Sequence, residues 1–125
     1  MNPSGGVHCC IHDFAVYARE HLLGLKGKGT LLDQKGYETL HSVQVTTNLR
    51  DMYPHMKQDR EASFGYGWAI SKKDQGFLSS AAGSGGTFFA QIYVFPALNT
   101  AFVGFTNCGN GGKALSDLAK IVVGL

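Results

Sequence analysis

Charge is scarce in this chain: 16% of its 125 residues are Asp, Glu, Lys or Arg, and the formal net charge is +2. The basic residues are scattered, with Lys26 and Lys28 and the pair Lys72–Lys73 coming nearest to clusters. The basic stripe of a nucleic-acid groove is missing, so no nucleic-acid partner is expected. No apolar run approaches the ~20 residues of a membrane span, and no membrane partner is expected either. The opening "MNPSGGVHCC" lacks the basic-then-apolar order of an export signal. Three cysteines, Cys9 and Cys10 adjacent and Cys108 distant, do not make a disulfide framework.

What the chain does have is apolar and turn-forming: 44% hydrophobic residues, 17 glycines and 8 phenylalanines. That composition suits a globular domain rich in sheet, and the length suits one domain or a piece of one. After Cys10 a helical period places Phe14, Tyr17, Ala18, His21, Leu22 and Leu25 on one face. Asp13 sits at the third position of a capping box with Cys10, and Gly24 with the "KGKG" run ends the helix. Asp33 is a good N-cap for a second short helix past Tyr37, Leu40 and His41. Residues 45–63 are polar and irregular and read as a long surface loop.

The period then becomes two. Phe64, Tyr66, Trp68 and Ile70 alternate with small residues, as one strand does. Lys72 to Gly76 reads as a turn, Phe77 to Ala82 as a second strand, and Thr87 to Phe95 as a strand apolar on both faces and therefore covered on both. A turn at Pro96–Asn99 leads to a returning strand, Thr100 to Thr106. A closing helix places Ala114, Leu115, Leu118, Ile121, Val122 and Leu125 on one stripe. The expected fold is α+β: an antiparallel β-meander of three to four strands with flanking helices. Its expected layout is a helical part over 1–44, the loop over 45–63, strands over 64–107 and a helix over 111–125.

Few residues suggest chemistry. "HCCIH", residues 8–12, invites a metal, but no second Cys/His pair follows at a zinc-like spacing, so no metal site is assigned. Gly83, Gly85 and Gly86 do not complete a dinucleotide fingerprint, because Phe88 holds the third glycine's place. "GNGGKA" fails as a phosphate loop, with Asn107 and Ala114 at positions that need Gly and Ser or Thr. No cofactor is expected. Ser84, in Gly83-Ser84-Gly85, misses a nucleophile elbow because residue 82 is Ala.

Three stretches, in order, resemble the serine β-lactamase-related family, the penicillin-recognising hydrolases and esterases that include class C β-lactamases. "PSGGVHCCIHDFAVYAREHLLG" (Pro3 to Gly24) resembles the family's proline-glycine turn and following helix. "YGWAI" (Tyr66 to Ile70) resembles its Gly-Trp strand. "AAGSGGTFFAQIYVFPALNTAFVGFTN" (Ala81 to Asn107) resembles the strand of its third motif, the hairpin and the closing Thr-Asn. The resemblance implies a partial β-lactamase/transpeptidase-like fold and a chemistry in which a serine is acylated by an amide or ester. That chemistry rests on Ser-x-x-Lys for nucleophile and base, Tyr-x-Asn for proton transfer, and Lys/His-x-Gly to hold substrate.

The departures from this pattern are large. No Ser or Thr has a lysine three residues on, and no tyrosine has an asparagine two residues on. Of the third motif only Gly83 remains, since Ala81 stands where Lys or His is expected. No catalytic residue is therefore assigned. Ala81, Gly83, Ser84 and Gly85 are expected to be the remnant of a substrate-binding edge. The chain is expected to be a C-terminal segment of such a hydrolase, inactive alone, with a non-catalytic binding or assembly module as the alternative. A homo-oligomer, or completion by a missing N-terminal region, is expected because the Thr87–Phe95 strand needs more cover than the chain supplies.

Overall fold

The computed structural model describes residues 5–55 and 59–123, so Pro3 of the family-like first stretch and Leu125 of the predicted stripe lie outside the described residues. Helix α1, Ile11–Gly24, starts where predicted. The Asp13 carboxylate accepts from the backbone N–H of Cys10 at 3.4 Å and from its Sγ at 3.2 Å. Helix α2, Gln34–Leu40, is capped by Asp33, whose carboxylate accepts from the Gly36 N–H at 2.7 Å.

The expected loop over 45–63 is not a loop. It holds strand β1 (Val45–Asn48), a single helical turn α3 (Leu49–Met52) and strand β2 (Glu61–Phe64). β1 and β2 pair antiparallel, Val45 against Phe64 through Asn48 against Glu61. The polar sequence concealed them because this pair lies at the sheet margin, where solvent takes one face and the alternation of apolar residues fades. The expected strand Phe64–Ile70 is likewise divided: β2 ends at Phe64, the chain turns through Gly65 and Gly67, and β3 (Ala69–Lys73) runs back. Gly67 has φ +82, the left-handed conformation such a turn favours in glycine.

β4 (Gly76–Ser84), β5 (Phe89–Phe95) and β6 (Thr100–Thr106) complete the meander. The result is one six-stranded antiparallel sheet in the order β1-β2-β3-β4-β5-β6, not three to four strands. Helix α4, Gly112–Val123, closes the chain.

β5 is covered on both faces, as its apolar sequence requires, and the chain's own α1 and α4 supply that cover, so the expected shortage over Thr87–Phe95 is not found. On one face Ile92 and Val94 pack with Ala18 and Leu22 of α1 and with Trp68. On the other, Phe95 packs with Leu78 and with Val123 of α4. The predicted stripe of α4 is buried only in part: Leu115 meets the sheet, joined by Ala119 and Val123, whereas Ala114, Leu118, Ile121 and Val122 are exposed. The helix has two apolar faces, and the sequence could not say which one the sheet takes.

Candidate functional site

The family-like stretch forms the tip of the β4–β5 hairpin. Ala81 pairs with Ile92 and packs against the α1-side core; Gly83 pairs with Ala90, and Ser84 with Phe89. Gly85 opens the turn and donates its N–H to the Phe88 carbonyl at 3.1 Å. The four predicted residues thus lie at one strand end and the turn that follows it, with Gly83, Ser84 and Gly85 exposed.

Ser84 is committed to this turn. Its hydroxyl donates to the Phe88 carbonyl at 3.1 Å and accepts the Gly86 N–H at 3.2 Å. Both partners are backbone groups of the hairpin itself, so among the described residues no basic group is bonded to the hydroxyl to take its proton, which a serine nucleophile needs. The turn is also pinned from outside. A Cβ on Gly109 would lie 1.8 Å from the Gly86 carbonyl oxygen, so the loop after β6 touches the hairpin backbone to backbone.

The strand edge at this tip is open. Backbone groups of successive residues in an antiparallel strand point to alternate sides. Because Gly85 bonds across to Phe88, the groups of Gly83 and Ala81 face β5, and those of Ala82 and Ser84 face the other way. β3 is the neighbour on that side, but its pairing with β4 stops at Ala69 opposite Ser80. The N–H groups of Ala82 and Ser84 therefore lie on an edge that no strand covers among the described residues. Next to it, around Ser80, a hollow of about 590 Å³ is lined by Leu49, Tyr53, Arg60, Phe64 and Ala69.

The "HCCIH" residues do not gather. Cys9 and Cys10 are exposed before α1, His12 is exposed in its first turn, and no group of three His, Cys, Asp or Glu that could hold a metal occurs among the described residues.

A second polar constellation escaped the sequence reading, which treated His21 and His41 only as members of helix faces. His21 Nδ1 and His41 Nε2 lie 2.8 Å apart, 6% and 3% exposed respectively. The Trp68 indole closes over both, its ring centroid 4.5 Å from His41 and 4.9 Å from His21. Burial holds His21 below the usual histidine range and His41 down at about 4, where the neighbouring His21 adds to the effect. His41 Nδ1 is buried with no hydrogen-bond partner among the described residues. Beside the pair, the Tyr37 hydroxyl donates to Glu20, and this bond followed by the Thr30 N–H keeps the Glu20 carboxyl at about 2. Only the 20-residue separation of two histidines on short amphipathic helices hinted at this meeting, and helix-to-helix docking is not a local signal.

No protein-family model matches the chain, and comparison with curated proteins and with solved structures yields no match.

Proposed function

We propose that the chain is the sheet-bearing C-terminal portion of a β-lactamase-like serine hydrolase and performs no acyl chemistry by itself. The observation that carries this reading is the open β4 edge at Ala82 and Ser84. Preorganised donors, backbone N–H groups among them, steady the developing oxyanion of an acyl-transfer reaction, and an outward N–H at a strand end is such a donor. A glycine-rich hairpin beside it lets a substrate approach the backbone closely. The chemistry stops there, since the Ser84 hydroxyl is bound within its own turn and Ala81 offers a methyl where the family resemblance calls for a cation. Incubation with a fluorescent β-lactam and with a serine-reactive phosphonate tests this reading. Neither reagent is expected to label the purified chain, and stoichiometric labelling of Ser84 would overturn the assignment.

A second reading, an assembly module built on the same sheet, draws on the far edge. β6 is seven residues long, carries no charge and no proline, and has β5 on one side only. Uncharged edges of this kind invite pairing with another chain. α4 runs antiparallel to β6, with Gly111 against Thr106 and Leu115 against Gly104. With Leu115 and Ala119 seated on the sheet, the right-handed turn of the helix carries Leu118 and Val122 toward the free side of β6. Light scattering at high protein concentration separates the readings, a stable monomer counting against the module.

A further inference from the structure

We propose that the His21–His41 pair is an acid-released latch, which holds α2 and the segment after it against α1 and Trp68 and lets them go when the medium turns mildly acidic. The proposal is independent of any hydrolase assignment. It rests on counting protons over four ring nitrogens. His21 Nδ1 and His41 Nε2, 2.8 Å apart, have room for one hydrogen between them. In the neutral pair the second hydrogen sits on either His21 Nε2 or His41 Nδ1. His41 Nδ1 is buried without a partner, and an orphaned N–H is the costlier choice. The second hydrogen therefore sits on His21 Nε2, and His41 donates to His21.

A third hydrogen has one place left. Whichever ring is charged, the added proton puts an N–H on His41 Nδ1, where no acceptor lies among the described residues. The charge is also buried beneath an indole. Such a state is relieved by separating the rings so that water reaches them. The titratable groups that face the pair from the packed elements are Tyr17 and Glu20 on α1 and Tyr37 on α2. Glu20 favours a charged His21, but its carboxylate is already engaged by Tyr37, Thr30 and Leu31. It does not reach the His41 nitrogen that needs an acceptor.

The segment that would move is defined by what holds it. α2 buries Tyr37, its last residue Leu40 accepts the Tyr66 N–H of the β2–β3 turn at its carbonyl, His41 follows as the C-cap residue, and the chain beyond joins β2 through the Gln44 N–H to the Phe64 carbonyl. Release of His41 uncovers one face of Trp68, the sole tryptophan, which is 4% exposed.

The test follows Trp68 emission in the full chain from pH 7.5 downward, with far-UV circular dichroism as the measure of the sheet. The expected result is a red shift of emission with a midpoint between pH 6.5 and 4, while the sheet signal persists. His41→Phe removes the proton acceptor and is expected to abolish this transition; His55→Gln, which alters an exposed histidine, leaves it in place. Because His41→Phe can fail to fold, the wild-type imidazole nitrogens are also titrated by NMR. An emission change that survives His41→Phe at the same pH, a flat emission trace, sheet loss coincident with the shift, or a His41 that titrates at an ordinary histidine pH would each overturn the latch.

Discussion

The residues whose environment departs most from what their chemistry prefers are His21 and His41, and their energetics carry a sign that can be worked out. The folded-state pKa of His41, about 4, lies below the ordinary 6.5. Between those values the open form binds more protons than the closed form, so the closed form loses stability as pH falls through that window. A shift of this size corresponds to about 3 kcal/mol. Hydrogen exchange at the His41 amide, which donates to the Tyr37 carbonyl at 3.1 Å, is therefore expected to lose roughly a hundredfold of its protection between pH 7 and 4, after correction for the intrinsic rate. Phe95 shows the opposite kind of residue, wholly apolar and 0% exposed between Leu78 and Val123. Phe95→Ala is expected to cost about 3–5 kcal/mol in urea denaturation.

Among the elements, α2 is the one most dependent on its ends. Seven residues are too few for a helix to persist on propensity alone, so the Asp33 cap and the Tyr37 and His41 anchors decide whether it forms. Asp33→Ala is expected to destabilise by about 1 kcal/mol, read as faster hydrogen exchange in α2 with β5 unaffected. The β4–β5 hairpin depends on backbone contact instead. Gly109→Ala would place a methyl group against the Gly86 carbonyl and is expected to cost about 1–3 kcal/mol, lowering the melting temperature. The capping residues and turn glycines behind these predictions stand in the chain for any reader. The docking of α2 on α1 does not, because it depends on how long intervening segments fold.

At the scale of the whole molecule the sheet is asymmetric. Its β1 margin is four residues of mainly polar strand, whereas β6 is a seven-residue uncharged edge flanked by exposed Leu118 and Val122. Helices α1 and α4 both lie over β5 and β6 at that end of the sheet, and α4 leaves Leu118, Ile121 and Val122 exposed there. Leu118→Glu is expected to leave stability within about 0.5 kcal/mol, as exposed substitutions do. It is also expected to shift any oligomer toward monomer in light scattering. A monomeric wild type would remove the premise of that prediction.

By itself the sequence determined the α+β class, the two-sided burial of β5, the caps of α1 and α2, and the absence of a serine with a lysine three residues on. Each of these is local, set by side-chain period, by a capping residue or by neighbours a few positions apart. Only the tertiary structure decided that 45–63 contributes two strands and that α4 buries Ala119 and Val123 beside the predicted Leu115. It alone brought His21 to His41 beneath Trp68 and turned the N–H groups of Ala82 and Ser84 to an open edge. Those outcomes rest on pairing and docking between distant segments, whose free energy comes from surfaces that exist only once the chain has folded.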